Sequence, residues 1–196
     1  IIYLIGDGMG LSSATMMMVE GGYEATIFDS AENVALQKTY SADNRVTDSA
    51  ASGTALATGS KTNNTYIGVL PSGQKLETLF EVAKRCGNMS TGVVVTTVVQ
   101  HATPAAFYAH VSNRHEYAEI TRQLVASSVD VAIGGGMVAF KECYGDNVER
   151  VLNSEGIELA TTLDEVRAMD GEQRVVALFA DKEVGVDTGS YLAEAT

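Results

Sequence analysis

Two spacings of apolar residues alternate along this chain. Short β-branched or aliphatic runs at residues 1–6, 34–40, 91–99, 129–133 and 175–179 have the length and composition of buried strands. Between them, apolar positions recur at helical spacing over residues 76–86, 116–127 and 148–154, and residues 50–58 are rich in small helix formers. A further helix is predicted toward Glu20, with Ser12 or Ser13 as its cap. Strands alternating with helices predict an α/β fold: a three-layer α/β/α arrangement in which helices cover both faces of a mostly parallel central sheet.

Punctuation residues sharpen some boundaries. Gly59 suits the position just past a helix that begins near Asp48 or Ser49, either of which could be its N-cap, and Gly87 closes the next helix. The run Gly134-Gly135-Gly136 ends a strand. No repeat or low-complexity tract interrupts the pattern, and the polar stretch at residues 60–73 is the only long candidate insertion.

The 196 residues suffice for one domain with a sizeable core. With 25 acidic against 13 basic side chains, the formal charge of −12 argues against nucleic acid or anionic lipid as partners, so an anionic substrate needs local capture. No window approaches the roughly 18 apolar residues of a membrane span, and nothing resembles an export signal. The chain opens at Ile1 without an initiator Met, so its compartment is not legible from that end. Cys86 and Cys143 make neither a disulfide framework nor a metal-spacing motif and read as ordinary thiols. His101, His110 and His115 form no HxxxH pair.

In open α/β sheets, ligands bind at the carboxyl ends of the strands, so polar residues that follow strands are the candidates for chemistry. Asp7, flanked by Gly6 and Gly8, reads equally as a carboxylate aimed at a cation or as a cap for the next helix. The Gly-x-Gly spacing there lacks the third glycine of a nucleotide fingerprint. Ser49, at the start of a helix of small residues, is placed to carry a phosphoryl group at the positive end of the helix dipole, or simply to cap the helix. His101 and Thr103 follow the strand at 91–99, with Pro104 suited to a first helical turn. Arg114 reads either as a fork for two phosphate oxygens or as a solvated surface side chain.

Taken together, Leu4-Ile5-Gly6-Asp7-Gly8-Met9-Gly10, Val46-Thr47-Asp48-Ser49-Ala50-Ala51, Ala57-Thr58-Gly59 and His101-Ala102-Thr103-Pro104-Ala105-Ala106 resemble the alkaline phosphatase family, in that family's order. Gly134-Gly135-Gly136 and Leu178-Phe179-Ala180 extend the similarity over essentially the whole chain. The resemblance implies metal-dependent hydrolysis of phosphate monoesters through a phosphoserine intermediate. It makes Ser49 the nucleophile, Asp48 the residue that orients its surroundings, and Arg114 the group that holds two nonbridging phosphate oxygens. Asp7 is implied to bridge a zinc and a magnesium ion, and Thr103 to bind magnesium. His101 occupies a position where some bacterial relatives carry an aspartate tied to the magnesium site, so magnesium there is held through water or replaced by zinc.

The complete site of such an enzyme holds two Zn2+ and one Mg2+, one zinc activating the serine hydroxyl and the other the leaving oxygen. Relatives continue beyond the point where this chain stops. The resemblance therefore implies that residues 1–196 are the N-terminal part of a single catalytic domain, inactive alone, with Leu192-Ala193-Glu194-Ala195-Thr196 opening the next helix. It also implies small phosphomonoester substrates, a homodimer when complete, and a periplasmic or extracellular location. The rivals are a phosphodiesterase or sulfatase of the same superfamily, against which the Val46 to Ala51 motif argues, and a noncatalytic phosphate- or metal-binding lobe.

Overall fold

The computed structural model describes residues 1–87 and 89–184, so the expectation for residues 192–196 lies outside the described residues. The chain divides into two compact units, Ile1–Thr39 and Tyr40–Thr196.

In the first unit, helix α1 spans Leu11–Glu20. Its N-cap is Gly10, and Ser12 and Ser13 fall inside the helix rather than capping it. Further on, the Asp29 carboxylate accepts hydrogen bonds from the Thr26 N–H at 2.7 Å and from its hydroxyl at 2.8 Å. These bonds, the backbone one first, hold its pKa below the usual carboxylate range. Residues 1–6 and 34–40 do not form the strands that their composition predicts. A strand is defined by its ladder partner, and neither run has one among the described residues. Leu4 and Leu36 are accordingly 78% and 82% exposed.

The second unit opens with α2, Ser49–Thr58, and α3, Leu79–Gly87. The helix α2 ends where the sequence says it should. Gly59 adopts a left-handed backbone at φ 72°, and its N–H bonds the Ala55 carbonyl at 2.9 Å. Strand β1, Gly92–Val98, is followed by the short α4, Ala102–Ala105, and by α5, Tyr117–Ala126. Then come β2, Val131–Gly135, α6, Met137–Tyr144, a 3₁₀ turn at Gly145–Asn147, and α7, Val148–Ser154. The described residues close with β3, Ile157–Ala160, α8, Leu163–Ala168, and β4, Arg174–Leu178.

The four strands form one parallel sheet in the order β1-β2-β4-β3, in register at Val94↔Ile133, Ile133↔Ala177 and Ala160↔Ala177. Alternate residues of a strand point to opposite faces, and in the central strands β2 and β4 both faces are apolar and buried. Ile133, Val175, Ala177 and Ala160 form one cluster, against which Val166 and Met169 pack from the α8 segment. Ala132, Val176 and Leu178, on the alternate positions, are at most 3% exposed. A sheet buried on both sides needs a helical layer on each, which is the α/β architecture expected from the sequence. Ile120, Leu124 and Phe140 supply fully buried anchors on α5 and α6, each stabilising by about 2 kcal/mol.

Candidate functional site

Of the residues singled out by sequence, Asp48, Ser49, His101, Thr103 and Arg114 all lie in the second unit, while Asp7 lies in the first, exposed, in a turn with Gly8. Asp48 settles the choice of N-cap for α2. Its backbone is extended at φ −102°, and its Oδ1 accepts from the Ala51 N–H at 2.9 Å, while its carbonyl accepts from the Ser52 N–H and hydroxyl. Ser49 is thus the first helical residue, half-buried, at the positive end of the helix.

The small residues of α2 have a packing reason. A Cβ added to Gly53 would stand 3.1 Å from the Ala106 methyl and 3.5 Å from the Thr103 Cα. The absence of a side chain there lets α4, which carries Thr103, lie directly on the helix that carries Ser49. His101 is the N-cap of α4 and follows the end of β1 by three residues. Tyr108 fastens the same segment: its buried hydroxyl donates to the Val99 carbonyl at 2.6 Å, and burial pushes the phenol pKa far up. Both candidates therefore sit at the carboxyl edge of the sheet, as the crevice rule expects. A cavity of about 510 Å³ opens at that edge, lined in part by Val98, Gln100, His101 and Gly136.

Arg114 joins this edge to the start of α2. Its Nη1 donates to Asp48 Oδ2 at 3.3 Å and its Nη2 to His101 Nε2 at 3.3 Å, with the arginine side chain 16% exposed. Arginine has no acceptor, so Nε2 of His101 is the accepting nitrogen in this arrangement. One guanidinium thereby holds the N-cap carboxylate and the imidazole on adjacent donors, in a position near the nucleophile candidate. An anion arriving there meets a helix N-terminus and a pre-oriented cationic fork.

Two residues that sequence reasoning passed over complete the array. Asn64 brackets the stretch before α2, accepting from the Asp48 N–H at 3.1 Å and donating to the Val46 carbonyl at 3.0 Å. Thr65 donates its N–H to Asp48 Oδ2 at 2.9 Å and accepts from the Arg114 N–H at 2.8 Å. Both lie in the polar 60–73 stretch that reads as an insertion. That stretch is a structural strut, with Thr62 and Ile67 fully buried and Ile67 bridged to Val111.

The donor types of Asp7, Thr103 and His101, a carboxylate, a hydroxyl and an imidazole, suit a divalent cation. Among the described residues no group of three or more His, Cys, Asp or Glu could hold a metal ion. Both cysteines are free thiols, and burial raises the pKa of Cys143. Among the described residues no helix is long and apolar enough to cross a membrane.

The profile of the family described as alkaline phosphatase matches residues 1–166. The chain belongs to the alkaline phosphatase family. It is 35% identical to alkaline phosphatase 4 of Bacillus subtilis (strain 168), over 92% of this chain and 42% of that protein. It is 34% identical to the alkaline phosphatase of Escherichia coli (strain K12), over 95% of this chain and 47% of that one. The chain therefore spans less than half the length of these alkaline phosphatases. Among solved structures, the cold-active alkaline phosphatase of a psychrophilic Shewanella sp. superposes with a TM-score of 0.84 at 35% identity, over 92% of this chain and 46% of that one. A histidine-to-aspartate variant of TAB5 alkaline phosphatase, with Mg bound in its M3 site, gives a TM-score of 0.82 at 30% identity, over 94% and 54% of the two chains.

Proposed function

We propose that the protein hydrolyses phosphate monoesters through a phosphoserine intermediate, with Ser49 as nucleophile, and that residues 1–196 contribute to a single catalytic domain. The reading is carried by the Asp48-Ser49 start of α2, with Arg114 held beside it by Asp48.

The chain's own residues divide the work. The Ser49 oxygen attacks phosphorus, the ester P–O bond breaks, and the alcohol leaves with a proton. Water then cleaves the serine O–P bond, releasing inorganic phosphate and restoring the hydroxyl. The positive end of α2 and the Arg114 guanidinium balance the negative charge that gathers on the nonbridging oxygens. Asp48, fixed by Ala51 and Thr65, keeps the guanidinium aimed. Asp7, Thr103 and His101 are this chain's proposed share of the donors for two zinc ions and one magnesium ion, which supply Lewis-acid activation when bound. Small phosphomonoesters are the proposed substrates, a homodimer outside the cytoplasm the proposed working form.

The test is phosphoserine trapping. Full-length protein incubated with labelled inorganic phosphate at mildly acidic pH is expected to take up label at Ser49, and Ser49→Ala to lose both the label and at least about 1000-fold in turnover. Turnover within tenfold of wild type in Ser49→Ala would falsify the assignment.

A further inference from the structure

Asn64 has the geometry of a clamp. Its one side-chain amide uses its oxygen on the Asp48 N–H and its nitrogen on the Val46 carbonyl, so both ends engage the same three residues that lead into α2. The clamp is itself held from the far side. The Asn64 N–H donates to Asp43 Oδ1 at 2.9 Å, and that carboxylate also accepts from the Ser41 hydroxyl at 2.9 Å. The next residue, Thr65, carries the link onward, to the Asp48 carboxylate through its N–H and to the Arg114 N–H through its carbonyl. Residues 64 and 65 thus tie together the two ends of the site, the approach to the nucleophile and the backbone of the arginine.

The side-chain type is specific to this task. Aspartate keeps the acceptor for Asp48 but sets a carboxylate oxygen against the Val46 carbonyl. Glutamine is one methylene too long for the same bracket, and alanine reaches neither partner. A second sign is the backbone of Thr65 at φ 71°, a left-handed conformation that a β-branched residue adopts only where its surroundings impose it.

We propose that Asn64 is a positioning residue of the phosphoryl-transfer site, which sets where the Ser49 hydroxyl stands relative to the Arg114 guanidinium. The proposal rests on the reading of Ser49 and Arg114 given above. It makes no contact with substrate; it acts through the 46–48 backbone.

The experiment compares Asn64→Ala, Asn64→Asp, the neighbouring Asn63→Ala and Ser49→Ala in the full-length protein. Three quantities are measured: kcat and KM for an aryl phosphate, the fraction of sites titrated by phosphoserine formation, and the thermal midpoint. Asn64→Ala is expected to lower kcat per titrated site about 10- to 100-fold, the cost of misplacing a reacting group by an ångström or less. KM and the thermal midpoint should move little, and Asn63→Ala should resemble wild type. Asn64→Asp, which keeps one of the two contacts, should fall between, and it carries the same comparison if Asn64→Ala does not accumulate in folded form. A kcat per titrated site within twofold of wild type in both Asn64 variants, whatever happens to the thermal midpoint, overturns the proposal and leaves the assignment of Ser49 standing. Turnover that survives Ser49→Ala sinks the underlying assignment instead.

Discussion

Thr65 keeps an exposed side chain on a left-handed backbone while its N–H and carbonyl serve Asp48 and Arg114. A β-branched residue there bears a steric strain of about 1–2 kcal/mol, which glycine avoids at some entropic cost in the unfolded chain. Thr65→Gly retains both backbone bonds and is expected to stabilise the protein by roughly 0.5–1 kcal/mol, read from denaturant unfolding at neutral pH. A loss of stability would show that the threonine conformation is unstrained. At this scale the sequence is legible where a residue's type fits its place at the start of a helix. Asp48 and Ser49 open α2, His101 and Thr103 lie at the start of α4, Arg114 lies in the turn before α5, and the structure places all five in one unit. Asn64 and Thr65 were invisible because a polar loop says nothing about which distant backbone its amides will reach. Glycine or asparagine marks a left-handed turn, and threonine does not.

The sequence marks the end of helix α2 and narrows its cap to Asp48 or Ser49, because the signals are local: a residue able to cap, and a glycine that turns left-handed. What the sequence left open was why its residues are small, and the answer lies in the partner. Gly53 faces the Ala106 methyl at a distance that admits no branched side chain. Gly53→Leu should force α4 away from α2 and destabilise by about 2–3 kcal/mol, read from the urea midpoint. A fully stable Gly53→Leu protein would mean that the two helices are free to separate. Elements whose identity depends on a neighbour fared worse. Residues 1–6 and 34–40 have strand composition but no ladder partner among the described residues. Conversely β3, four residues with Glu158 inside, has too little pattern to announce itself and exists through its register with β4.

In the whole second unit, the sheet is fastened at its lower edge by two charged residues. Asp130 accepts from Lys84 at 2.6 Å and from the Thr91 N–H at 2.7 Å, joining α3 to the entries of β1 and β2. Arg174 donates to the carbonyls of Val129, Val125 and Leu124, capping α5 from the start of β4. Burial pushes the Asp130 carboxyl pKa up, but the Lys84 ammonium and the Thr91 N–H outweigh it, leaving the pKa below the usual range. A carboxyl depressed in the folded state stabilises above its unfolded pKa of about 4, and that contribution fades as pH falls through the lower folded value. Asp130→Asn should therefore cost about 1–3 kcal/mol at pH 7, and the gap to wild type should close on acidification below pH ~4. Urea midpoints across pH would check this, and a gap that stays constant down to pH 2 would exclude the ion pair as its source.

The strand order also fixes a sequence of events during synthesis. Among the described residues β3 pairs only with β4, which is made after it, and β2 shares its second edge with the same late strand. A nascent polypeptide whose emerged part ends between Ala160 and Arg174 therefore carries one paired couple of strands and one orphan. Of the described strands this keystone arrives last, and until Leu178 has left the exit tunnel β2 and β3 each offer an unpaired edge to any passing chain or chaperone.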